Sequence, residues 1–108
     1  MGVGTQKVFE DDRVIVWHFD LAPGEQGETH THHHDFVVRV LSGATLEVAG
    51  PSQEVLYTVD REPGEALAFR MDGDQILSTI PGRPPVPATH SVRNVGETTF
   101  RETLIEFK

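Results

Sequence analysis

Turn-forming clusters interrupt this chain at short intervals: APGEQGE at 22–28, SG at 42–43, GPS at 50–52, DREPGE at 60–65, MDGD at 71–74, PGRPPVP at 81–87 and VGE at 95–97. Glycine opens backbone conformations closed to other residues, and proline fixes φ and removes an amide donor, so each cluster bends or reverses the chain. The intervals between them are too short for ordinary helices and are rich in Val, Thr, Ile and Phe, which suit a pleated, half-buried surface. In RVIVWHFDL, Ile15, Trp17, Phe19 and Leu21 share one parity. TLEVAG, QEVLYTV, EALAFR, QILST, HSVRNV and FRETLIEF read as further strands. Short strands at regular spacing with no amphipathic helix predict an all-β sandwich or barrel.

At 108 residues the chain supports one domain, 1–108, around a modest core. Its formal net charge of −8 repels phosphate backbones and anionic lipid, so neither nucleic acid nor a membrane surface is an expected partner, and small molecules or other proteins remain. Without cysteine, any metal must be held by nitrogen and oxygen. The opening MGVGTQKVFEDDR lacks the basic segment and apolar run of a signal peptide, and a soluble, cytoplasmic protein is expected. Residues 1–12 read as an N-terminal arm or edge strand. IPGRPPVPA reads as a long loop, because proline cannot donate to a sheet ladder; a surface excursion and a lid are both open to it.

Four of the six histidines lie in HTHHHD, residues 30–35. Residues two apart on a strand share a face at about 7 Å spacing, so His30 and His32 project together and their imidazoles are long enough to meet on one ion. Two ligands leave a site incomplete. His90, which opens HSVRNV, is the only histidine in the second half of the chain and the natural third.

PGEQGETHTHHHDFVVRVLSG resembles the first motif of the cupin superfamily, with Pro23, Gly24, His30, His32 and Gly43 at matching places. THSVRN resembles the end of the second motif, with His90 and Asn94 at the H-x-x-x-N spacing, and PGEALAFR with Gly64 its opening. The resemblance spans about Val14 to Phe107. It implies a double-stranded β-helix, or jelly-roll barrel, with His30, His32 and His90 as metal ligands inside it.

Two departures from the pattern bear on the site. The metal-binding glutamate of the family falls on Phe36, which cannot ligate. A fourth ligand is then His34, if the strand continues unbroken, or Asp35, whose parity points to the opposite face, or is absent. The second motif also carries an insertion, read as a hairpin or loop over 71–87; without it, Gln75 would take the place of His90 at the metal.

Three neutral imidazoles suit Fe(II), Ni(II), Zn(II), Cu(II) or Co(II) and leave open coordination positions. The resemblance implies an Fe(II)-dependent dioxygenase acting on a small molecule. Rival readings are a non-redox isomerase, cyclase or lyase, with Glu28 or Tyr57 as acid or base, and a non-catalytic binder of small ligands. Phe36 is expected beside the ion and Arg39 in the pocket, holding an anionic substrate; Arg93 and Arg101 are weaker versions of that idea, and His18 is either a pocket or a surface residue. Small single-domain members of the family imply a homodimer, for which VGTQKVF offers a swapped or added strand.

Overall fold

The computed structural model describes residues 2–108. These form eleven strands and no helix: β1 (Gln6–Glu10), β2 (Val14–Leu21), β3 (His30–Thr31), β4 (Asp35–Ser42), β5 (Ala44–Ala49), β6 (Val55–Arg61), β7 (Ala66–Asp72), β8 (Gln75–Ser78), β9 (Val86–Pro87), β10 (Thr89–Asn94) and β11 (Phe100–Phe107). They make two antiparallel sheets, a large one ordered β1-β2-β11-β4-β7-β8-β9 and a small one ordered β3-β10-β5-β6. No helix of the described residues is long and apolar enough to cross a membrane.

Alternation decides which face of each strand turns inward. In β4, Phe36, Val38 and Val40 are buried while Asp35, Arg39 and Leu41 are exposed. In β11 the inward set is Phe100, Glu102, Leu104 and Glu106, so two carboxyl groups are carried toward the interior with the apolar residues. The inward side chains form two contiguous clusters, one around Phe36, Val38, Leu67, Ile76 and Leu104 and the other around Phe19, Leu21, Val40, Leu46 and Phe100. Removing such side chains from water is worth roughly 1.5–3 kcal/mol each, and this burial holds the sheets face to face.

Two of the places where the chain changes sheets are turns of the same construction. Ala22-Pro23-Gly24-Glu25 leads from β2 in the large sheet toward β3 in the small one, and Glu62-Pro63-Gly64-Glu65 leads from β6 back to β7. Each turn closes with a bond from the glutamate amide to the first carbonyl, and the same glutamate's side chain accepts from the first residue's amide. Gly24 and Gly64 have φ of 82° and 87°, the left-handed conformation required at the third position of a type II turn, with proline before it. The glycine amides complete the anchoring by donating to Asn94 and Val40. Asn94, wholly buried, donates to the carbonyls of Leu21 and Thr98 at 3.0 and 2.8 Å and accepts from the Gly96 amide, so its role is to tie the first of these turns to the end of β10.

VGTQKVF adds to the edge of its own chain's large sheet, where Gln6–Glu10 pair with β2. Upstream of β1, Val3 is buried in the core. In the 71–87 region, β7 continues to Asp72, a tight turn leads into β8, and β9 pairs with β8, carrying the proline-rich loop along the sheet edge.

Candidate metal centre

His30 lies in β3 and pairs with His90 of β10, so main-chain hydrogen bonding brings the two distant segments together. β3 ends at Thr31, yet His32 is still directed inward because its amide donates to the Ala88 carbonyl at 3.0 Å. All three imidazoles are buried, and one nitrogen from each lies within 4.8 Å of the others. His30 and His90 approach most closely, Nε2 to Nε2 at 3.1 Å.

The outer nitrogens determine what that contact means. His30 Nδ1 donates to the Glu28 carbonyl at 3.1 Å and His90 Nδ1 donates to the Pro87 carbonyl at 2.9 Å. A carbonyl can only accept, so both Nδ1 atoms carry hydrogen and both Nε2 atoms of the neutral rings present lone pairs to each other. Protonating one Nε2 would relieve the repulsion, but burial opposes it: His30 is pushed down to about 4, His32 to about 2, and His90 is lowered as well. The nearby imidazoles add to the effect on His30 and His32. His32 Nδ1 is buried without a hydrogen-bond partner. Converging lone pairs, fixed tautomers and an orphaned ring nitrogen fit a divalent cation, whose bonds to imidazole are about 2.0–2.1 Å.

Phe36 stacks on His32, with ring centroids 4.2 Å apart and an interplanar angle of 13°, and stacks in turn on Phe69. It therefore walls the histidines on the side where the family pattern has a carboxylate. Other sequence candidates lie elsewhere. The chain bends at His34 before β4 begins, so the unbroken strand that would have aimed His34 inward does not form. Asp35 is exposed and accepts from the Met71 amide at 2.8 Å, which spends it on joining β4 to β7. Gln75 is exposed at the start of β8. Arg39 is exposed on the outer face of β4, opposite Thr103 and Ala66, as its place between inward Val38 and Val40 requires. His18 alternates with inward Trp17 and Phe19 and lies on the outer side of β2, while Arg93 and Arg101 are exposed. Glu28 contributes its carbonyl, to His30, while its side chain is exposed.

The histidines open onto a largely apolar cavity of about 110 Å³, whose polar lining comprises His30, His32, His90, Tyr57, Arg61 and Glu102. Tyr57, Val59 and Arg61 also line an adjoining vestibule of about 320 Å³, which reaches Leu56, Ile80, Arg83 and Pro84. Burial raises the Tyr57 hydroxyl above its ordinary value, partly offset by the charges of Arg61 and Arg83. It also pushes Glu102 up to about 8, against the pull of Arg61. Glu106 is raised by burial too, with His34 the first of the groups that hold it down.

Arg61 and Glu102 escape a reading of the sequence. Arg61 sits in DREPGE, whose turn signal conceals that β6 runs on to include it. In FRETLIEF both parities mix polar and apolar residues, so alternation alone does not tell which glutamates face the core.

Neither protein-family models nor curated protein sequences give a match to this chain. Solved structures do. A cupin domain from Bordetella pertussis Tohama I aligns with a TM-score of 0.70 at 22% identity, over 95% of this chain and 90% of that one. An RmlC-like cupin with a double-stranded β-helix fold from Methanocaldococcus jannaschii gives 0.60 at 14%, over 94% and 76%. The polyketide cyclase RemF from Streptomyces resistomycificus gives 0.57 at 19%, over 94% and 62%.

Proposed function

From a chain with the cupin fold, a double-stranded β-helix closed around three buried histidines, we propose a metal-dependent protein acting on a small molecule, with His30, His32 and His90 as the ligands and Fe(II)-dependent dioxygenation as the reaction. The observation that carries this is the 3.1 Å approach of two Nε2 atoms whose Nδ1 partners are both held by carbonyls. An all-nitrogen set suits Fe(II), and also Ni(II), Zn(II), Cu(II) or Co(II), and adds no negative charge to the ion. When bound, such an ion supplies open coordination positions at which a substrate oxygen and dioxygen can be brought together.

The protein's own contribution is orientation and exclusion of water. The Glu28 and Pro87 carbonyls fix the His30 and His90 rings, and Phe36 closes one side of the centre against solvent. The vestibule between β6 and the proline-rich loop provides the way in. Glu102, mostly protonated at neutral pH, can donate a hydrogen bond to a substrate oxygen or, once ionised, accept a proton from it.

A second reading keeps the same ligands but uses the ion only as a Lewis acid, as in cyclisation or isomerisation. Likeness to a polyketide cyclase favours it. Metal analysis of protein purified from iron-supplied cells, followed by oxygen uptake with small acids, diketones and thiols, separates the two. Uptake that disappears in His30→Ala supports the dioxygenase. Conversion without oxygen that survives replacement of iron by zinc supports the Lewis acid, and no bound metal under any loading refutes both.

A further inference from the structure

The cavity has a second polar pole, far from the histidines. Along the small sheet the rungs run from Arg61 opposite Ala44, through Val59, Leu46 and Asn94, to Tyr57, Val48 and Val92, and His90 lies beyond the pairing of Ser91 with Ala49. Arg61 and His90 therefore stand at opposite ends. On the large sheet Glu102 pairs with Val40. Val40 in turn exchanges main-chain bonds with Gly64 and Glu65 of the turn that follows Arg61. The fold thus sets Glu102 beside Arg61, and both line the cavity.

Neither group is spent on the protein. The Arg61 side chain is only 14% exposed, forms no side-chain hydrogen bond among the described residues, and meets one carboxylate, Glu65, at 3.9 Å. Glu102 likewise has no side-chain hydrogen bond among them. A guanidinium has five donors, and none of those of Arg61 is both sealed from water and without a partner, so they remain free to meet an incoming ligand. The approach has the same sign: in a chain of net charge −8, the charged side chains lining the vestibule are Arg83 and Arg61.

We propose that Arg61 and Glu102 form a carboxylate-binding pole, and that the cavity takes a small monocarboxylic acid with an apolar body, its carboxylate on Arg61 and Glu102 and its far end toward the histidines. The idea rests on the reading of this cavity as a substrate chamber and names the substrate class. Arg61 offers the planar fork that matches a carboxylate, and the Glu102 carboxyl donates to it. The apolar lining, from Val59, Leu67, Phe69 and Ile76 among others, takes the body. A volume of about 110 Å³ falls short of the ~150 Å³ of a dry cavity that accepts benzene, so a ring-sized body must extend into the adjoining vestibule of about 320 Å³.

The titratable and charged groups that line the cavity with Glu102 are Arg61 and Tyr57 from β6, His30 from β3, His32 just after it and His90 from β10, with Glu65 meeting Arg61 at 3.9 Å; neighbouring β2 and β4 present Phe19 and Val40. The histidines are held below neutrality and Tyr57 above its ordinary value, so Glu102 is the cavity group that changes charge between pH 7 and 9.

The test is calorimetric titration of benzoate, benzamide and benzyl alcohol into zinc-loaded and metal-free protein, with zinc stoichiometry and melting temperature measured for every variant. Benzoate is expected to bind at least tenfold more tightly than its neutral analogues in both forms. Arg61→Met should cost tenfold or more with zinc stoichiometry unchanged, and Arg61→Lys less. Benzoate affinity should fall from pH 7 to 9, and Glu102→Gln should remove that fall. Benzoate binding that requires zinc, that survives Arg61→Met, or that does not exceed benzamide binding overturns the proposal. Wild-type protein that binds no metal under any loading, yet binds benzoate as expected, refutes the metal reading and leaves the carboxylate pole standing.

Discussion

The two ends of the cavity hold polar groups in apolar surroundings by different means. At the histidine end, two of the three rings are anchored through Nδ1 to main-chain carbonyls and a third is stacked on Phe36, so the nitrogens that matter are aimed before any ligand arrives. At the other end, Arg61 and Glu102 are placed by sheet register and held by almost nothing of their own. The first arrangement suits a resident ion that must be held at fixed positions. The second suits a ligand that comes and goes, because the hydrogen bonds it would make are not already satisfied.

The contrast can be broken most strongly at the histidines. His90→Ala should weaken zinc or iron binding at least ~100-fold, beyond the 10–100-fold typical of losing an outer partner, as read by competition with a chelator. It should also cut the stabilisation that a free metal concentration 100 times Kd gives the wild type, about 2.7 kcal/mol, to about 0.4 kcal/mol or less, read from melting curves. Phe36→Ala comes next. It removes a buried ring shared by the core and the centre, and should cost about 3–5 kcal/mol in denaturant unfolding.

Glu102 should show the opposite sign. Its carboxyl is held near 8 in the folded protein by burial, against an ordinary value of 4.5. The folded state therefore binds the proton more tightly than the unfolded chain, and the associated stability is full below about pH 4.5 and lost as pH rises to about 8. Melting temperatures of the wild type should fall relative to Glu102→Gln across that window, and at pH 8 the variant should be the more stable by a few degrees. A group that lowers stability where it stands is what a ligand-binding pole, and not a packing element, predicts. The smallest effect belongs to His34→Ala, for which chelator competition should give wild-type metal affinity, since the bend before β4 keeps it out of the converging set.

How much of this was written locally in the sequence differs between the two ends. The strands and their order were legible because turn residues bracket them and inward residues alternate, as in RVIVWHFDL. His30 and His32 were legible because a two-residue spacing keeps both on one side even though the strand ends between them. His90 needed the second motif as well, and its pairing with His30 is a contact across 60 residues. Arg39 lies outside on the chain's own alternation, between inward Val38 and Val40. The Arg61–Glu102 pole was hidden for another reason. Its members are 41 positions apart, one in an apparent turn and one in a strand with polar residues on both faces, and only the register of β11 on β4 joins them.

The two corner turns carry an implication for chemistry at the backbone. An added methyl group at Gly24 or Gly64 would meet no atom within 4 Å, although both sites have strongly positive φ. What these corners demand is handedness and not room. An L-alanine there should strain the crossing between sheets through its φ alone, with no clash to relieve, so each substitution should lower the melting temperature while leaving the packing of the core intact.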